Sequence, residues 1–413
     1  MGITLWLDVP VRWNFGLEDP VLAGCGNDGA AYCNMALGRY ASNPYARRIL
    51  TPLVVSWMPS WISLPWRFRV LNLICLFMTS IFTVLLTRRL CENRSVEADR
   101  LRWGAWIAGF LLLLLPQVGF RWVNFYPTLV DPLANLLGLA WLLLLFSRHS
   151  YPVYLAPLVL FFAGITRESW IPVGVVSCLA LLFTKPPAAL RVALLGNLIA
   201  TMGAFMVIAR FDTIATHQSL VETTWWTPWS IQVSRGFELL DQHFLTATGL
   251  QSTLWQSIFA FGFLPFLLWF ALFRTGEKQS FFKMDSENPS HRLVSMCVSV
   301  LVLSWILAVA GGNDMHRIMS AAAPGLLAMI VATVICNPSL EIDFLWLFAA
   351  SVVFWNPTSP ILDGTLDNYH YVFSPIFIDG ETGPRLERDS LRAFPILCLW
   401  LFFRRRKISA QAL

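Results

Sequence analysis

Carboxylates recur beside arginines at separated points of an otherwise apolar chain. Asp28 stands in Asn27-Asp28-Gly29 with Arg47 and Arg48 downstream, and Asp131 opens Asp131-Pro132-Leu133-Ala134. Glu168 follows Arg167 directly, and Asp314 precedes His316 and Arg317. A carboxylate in such a setting can take the proton from an attacking hydroxyl. A guanidinium can hold a phosphate in a two-pronged pair and stabilise charge that builds on it. Charge at a bilayer boundary is costly and tends to mark a site. Asp28, Asp131, Glu168 and Asp314 are therefore the candidate catalytic residues. Arg47, Arg48, Arg167, His316 and Arg317 are the candidate phosphate-binding ones.

Each position also has a plainer reading. Asp28-Gly29 is a turn dipeptide. Asp131 beside Pro132 reads as a helix start, where its charge suits the positive end of the dipole; a cap alone would be met by Thr128. Arg167 and Glu168 could pair with one another, but adjacent residues on a helix do not face each other. Glu168 is thus expected to meet an external arginine, and Arg167 a carboxylate or phosphate. In Gly311-Gly312-Asn313-Asp314-Met315-His316-Arg317, Asp314 could cap the next helix, yet three ionisable groups in four residues exceed what a cap needs. The acidic and histidine residues of 356–390 (Asp363, Asp367, His370, Asp379, Glu381) show no metal-ligand spacing and read as solvated. No phosphate-binding glycine loop, dinucleotide fingerprint or zinc-protease motif occurs in the sequence. Several carboxylates leave room for a divalent cation, with no cofactor specified and no ligand set legible.

The elements that must position these groups are membrane helices. Of 413 residues, 56% are hydrophobic and 13% charged, where soluble domains carry roughly 25% charge. Mean hydropathy is +0.59. The expected fold is an all-α polytopic membrane protein, a single transmembrane domain over 1–413. Its expected segments are 50–64 (amphipathic or re-entrant), 68–86, 103–120, 127–146, 151–166, 169–184, 190–209, 253–273, 293–310, 317–336, 341–355 and 391–403. That makes about eleven transmembrane helices plus interfacial or re-entrant ones.

Positive charge orients them. The connections 87–102 and 274–292 and the tail 404–413 are rich in arginine and lysine, which places them in the cytoplasm. All four lysines of the chain, Lys185, Lys278, Lys283 and Lys407, then fall on that side. The external elements are 1–49, 121–126, the turn 167–168, 210–252 with Trp225, Trp226 and Trp229 as a belt or lipid contact, 311–316 and 356–390. The net charge of +5 reflects cytoplasmic loops and lipid phosphates, not nucleic acid. Cys25 and Cys33 share one external segment and could form a disulfide there. The stretch Ile3 to Leu7 is too short for a signal core, so either this segment is translocated without a leader or a first helix lies upstream of Met1, and the second is expected.

The ordered blocks Asp28-Gly29 with Tyr32 before Arg48-Ile49-Leu50-Thr51-Pro52, then Asp131-Pro132-Leu133-Ala134, Thr166-Arg167-Glu168, and Asn313-Asp314 with Arg317 resemble GT-C-type membrane glycosyltransferases. The likeness is to the bacterial branch of uncharacterised multi-spanning relatives, over about residues 26–336. It implies transfer of a sugar from a polyprenyl-phosphate carrier to an acceptor on the extracytoplasmic face of the bacterial inner membrane. The implied partners are the lipid-linked donor and membrane lipids, with the oligomeric state open. It also implies an acidic catalytic residue in the first external loop, which is Asp28 here, with Glu18 and Asp19 as rivals. A transporter or flippase of lipid-linked intermediates, or an envelope polysaccharide polymerase or ligase, would use the same face and charges.

Overall fold

The computed structural model describes residues 27–217 apart from short stretches such as 42–44 and 124–127, most of 257–274, then 289–310, 319–355 and 393–404. A few separate positions, including Leu22 and Cys25, are also described. Among the described residues all regular secondary structure is helical. The helices are α1 (Asn27–Ala36), α2 (Leu50–Ser56), α3 (Leu64–Leu90), α4 (Ala98–Leu114), α5 (Asp131–Leu145), α6 (Ala156–Thr166) and α7 (Trp170–Leu182). There follow α8 (Ala188–His217), α9 (Pro265–Arg274), α10 (Pro289–Ala310), α11 (Ala323–Cys336), α12 (Glu341–Trp355) and α13 (Ala393–Arg404).

Local chemistry explains the boundaries. Ser63 and Pro65 open α3, and Arg88 and Arg89 close it at the negative end of its dipole. Its 27 residues span about 40 Å at 1.5 Å per residue. Among the described residues three stretches are long and apolar enough to cross a membrane: Leu64–Leu90, Ala188–Arg210 and Ser290–Ala310. A fourth crossing would be α11 continued by Pro338–Phe354, with a bend of 114° at the break. The other helices are shorter, none exceeding the 17 residues of α4, less than the ~20 residues of a straight span. The expected segments thus fall on helices, many of them truncated. Segment 50–64 contributes only the two-turn α2, while α8 runs on to His217, into the stretch 210–252 expected as loop.

One large apolar core is shared by helices from α3 onward, and a small second core lies under the N-terminal segment. In the large core, α6 packs along α5 and α8, α3 along α4 and α5, and α11 against α3 and α4. Gly138 of α5 lets the Trp170 ring lie flush on the helix, since a Cβ there would collide with it. The small core gathers Tyr32 and Cys33 from α1, Val55 from α2, Leu64 and Phe68 from α3, and Leu129 and Val130 ahead of α5.

Polar contacts divide the bundle into two ends. At one end Glu92 pairs with Arg89 and Arg148, Ser290 bonds the Glu92 carbonyl, Arg100 pairs with Glu341, and Trp400 and Arg404 both reach Asp343. These are the connections that charge counting groups on one side of the membrane. At the opposite end the amide of Ile49 bonds the carbonyl of Ile165, 3.0 Å away. There the segments preceding α2 and α5 meet the turn between α6 and α7.

Candidate functional site

The turn between α6 and α7 builds the site. Arg167 leaves the helix with an extended backbone (φ −150°, ψ 119°) while Ser169 is already back in helical conformation. An extended residue sends neighbouring side chains to opposite sides. Arg167 accordingly reaches Asp131 at the first turn of α5, and Glu168 reaches Arg48 just ahead of α2. Arg48 donates through Nε to Glu168 Oε2 at 3.0 Å and through Nη2 to Oε1 at 2.8 Å, a two-pronged pair. Its Nη1 donates to the Tyr32 hydroxyl at 2.6 Å. Tyr32 is itself fully buried and packs edge-on against Tyr45 at 5.5 Å.

The two pairs differ in depth. The Arg167 and Asp131 side chains are 5% and 4% exposed, those of Arg48 and Glu168 11% and 22%. The first pair is a buried brace between helices, and the second forms the open edge of the site. Arg47, last residue of a single 3-10 turn, is 1% exposed, so it belongs with the buried group.

A second set of bonds fixes the frame around these charges. Thr128 does not cap α5, as the sequence led one to expect: its hydroxyl donates to the Cys25 carbonyl at 2.6 Å, and Val130 occupies the cap position without a side-chain bond. Asn72, buried within apolar α3, donates to the Leu129 carbonyl at 2.8 Å. Cys25 and Cys33 form a disulfide that closes the start of α1. Asp28-Gly29 is not a surface turn but the first turn of that helix. Glycine is required there by contact, since a Cβ on Gly29 would collide with the Thr128 hydroxyl.

No family model, curated protein or solved structure matches the chain.

The structure brings together Asp131, Glu168, Arg48 and Arg167, with Arg47 buried close by in sequence. Asp28 has a described backbone in α1, four residues before Tyr32, so the two positions share a helix face. Its side chain, and all of Glu18, Asp19, Asp314, His316 and Arg317, lie outside the described residues. Among the described residues no cluster of three His, Cys, Asp or Glu could hold a metal ion. Sequence reasoning overlooked Asn72 and the bond from Thr128. A lone Asn inside a 27-residue apolar helix was the available signal.

Burial pushes the Glu168 carboxyl upward, but the charge and hydrogen bonds of Arg48, with help from Arg167, more than reverse this and hold it at about 2. The folded value lies below the ordinary 4.5, so the pair stabilises the protein fully above that pH, and the contribution disappears as pH falls through the folded value. In detergent the melting temperature should fall between pH 4.5 and 2 more steeply for the native chain than for Glu168→Gln. Parallel curves for the two proteins would show that the pair contributes nothing.

Proposed function

We propose that this chain is a GT-C-like membrane glycosyltransferase that moves a sugar from a polyprenyl-phosphate carrier to a hydroxyl acceptor on the extracytoplasmic face. The observation that carries this reading is the convergence of separate segments on one end of the helix bundle. There a buried Asp131–Arg167 brace backs a partly open Arg48–Glu168 pair. The Cys25–Cys33 disulfide at the same end fits an oxidising compartment. The opposite end gathers Arg89, Arg94, Arg100, Arg148 and Arg404, as a cytoplasmic face would. In this reading the chain forms about eleven membrane segments, the shorter ones tilted or re-entrant, in a bacterial inner membrane with the C-terminus in the cytoplasm.

The chemistry assigns distinct work to each group. The acceptor hydroxyl gives its proton to the Asp28 carboxylate as its oxygen forms the bond to the anomeric carbon. The bond from that carbon to the carrier phosphate breaks on the opposite side, with inversion. Arg48, held in plane by Glu168 and Tyr32, receives the negative charge of the departing phosphate, together with Arg317. Asp131 aligns Arg167, and Asp314 orients the substrate or its arginine.

A flippase would use the same headgroup contacts without chemistry. Its binding groups belong near the bilayer midplane, whereas here they sit at helix ends. Membrane vesicles carrying the chain, supplied with a panel of polyprenyl-phosphate sugars labelled in the sugar, should release free polyprenyl phosphate and move label to an envelope acceptor. Labelled lipid that crosses the bilayer intact would replace this reading with the transporter.

A further inference from the structure

Two cysteines meet at the end of the bundle opposite the candidate site. Cys91 closes the C-terminus of α3, and Cys336 is the last residue of α11. Their sulfur atoms lie 4.0 Å apart, although 245 residues separate them in the chain. The helices that carry them pack along one another, so the approach is held by the core and not by two loose loops. Cys91 is 2% exposed and Cys336 partly exposed, so Cys336 is the more accessible of the two residues.

The surroundings favour reaction. Arg100 donates to the Val334 carbonyl at 3.2 Å and pairs with Glu341, which brings its guanidinium to the end of α11. Arg94 bonds the Cys91 carbonyl through its own amide, 3.2 Å away. Both arginines thus stand at the end of the bundle that carries Cys336. A thiol beside guanidinium groups reacts more readily because its thiolate is stabilised. The remaining free cysteines differ: Cys75, Cys178 and Cys297 are buried in the helices, and Cys398 is exposed on α13.

The geometry points to Cys91 and Cys336 as a redox-modifiable dithiol, oxidised to a disulfide by hydroperoxides. The Cys336 thiolate attacks the terminal oxygen of the hydroperoxide; the O–O bond breaks, an alcohol (or water) leaves, and Cys336 becomes a sulfenic acid. The Cys91 sulfur then attacks the Cys336 sulfur, the S–O bond breaks, and water leaves. Two thiols and one hydroperoxide give one disulfide, one alcohol and one water. The bond requires the sulfurs to close from 4.0 Å to about 2 Å, a movement within reach of side-chain rotation and a small helix shift. It would clamp the end of α3 to the point where α11 turns through 114° into the following helix. This assignment is independent of the proposed transfer reaction.

The full chain in nanodiscs, treated with hydrogen peroxide, denatured, alkylated and digested without reductant, tests it directly. A cross-linked fragment joining residue 91 to residue 336 is expected, removed by dithiothreitol and absent from C91S and C336S. The native chain alone suffices if either variant fails to fold. Recovery of both cysteines in alkylated form, sulfinic acid at Cys336 without the cross-link, or oxidation confined to Cys398 would each overturn the assignment.

Discussion

Arg167→Met should lower the stability of this protein by about 3–5 kcal/mol, the expected cost of stranding one member of a buried ion pair. The reason is depth. Asp131 is 4% exposed, so when its partner is removed the carboxylate can neither hydrate nor turn to solvent. Its place at the first turn of α5 adds the partial positive charge of the helix end, worth ~1 kcal/mol, less than the charge removed. Removing both charges together is a different change. Asp131→Asn with Arg167→Met leaves a neutral amide beside an apolar chain, and most of the lost stability should return. Unfolding in mixed micelles, followed for both single variants and the double, gives the coupling energy. A loss below ~1 kcal/mol for Arg167→Met would mean that the pair is solvated and does not brace the helices. The open pair should behave otherwise: Glu168 is 22% exposed, so Arg48→Met leaves it a route to water and a smaller penalty.

Charge and hydropathy carried much of this architecture, because both act locally. Arginine and lysine counts grouped the connections 87–102, 274–292 and the tail, and at that end Glu92, Arg100 and Arg148 indeed find partners across connections. Apolar runs located the helices, but not their lengths. Pro338 and the turn at Arg167 interrupt apolar stretches that hydropathy alone reads as continuous or as neighbouring spans. Pairing was legible at Arg167-Glu168, where helical geometry forbids mutual contact and sends each charge to a distant partner. Which partner belongs to which charge was not legible. That depends on an extended residue at Arg167 and on how the segments before α2 and α5 converge around the turn. Thr128 was misread for a similar reason. A hydroxyl three residues before a helical Asp fits a cap in one dimension, and the competing Cys25 carbonyl comes from a segment about a hundred residues away. The disulfide was open in sequence because eight residues of separation permit closure without requiring it. Helix α1 decides it by setting Cys33 back toward Cys25.

Asp28→Asn should abolish sugar transfer, a fall of at least ~100-fold expected when a general base is lost, with thermal stability unchanged to within ~0.5 kcal/mol. Asparagine keeps the shape and hydrogen-bonding capacity of the side chain but cannot accept the acceptor's proton near neutral pH. The position has a fixed frame. Gly29 seats α1 on Thr128, the Cys25–Cys33 disulfide ties down its first turn, and Tyr32, four residues on and on the same face, bonds Arg48. The base and the phosphate-holding arginine would therefore be set by one short helix. A structural role for Asp28 predicts the reverse pattern, lowered stability with transfer reduced only in proportion to folded protein. Parallel substitutions Glu18→Gln and Asp19→Asn separate the rivals, because only the true base should lose turnover while binding of a polyprenyl-phosphate sugar is kept. Undiminished transfer by Asp28→Asn, with the loss appearing at Glu18 or Asp19, would move the base into the segment preceding α1. Undiminished transfer in all three would leave the Arg48–Glu168 edge as a binding surface without a base in the first external segment, and the reaction would need a different acid from the same end of the bundle.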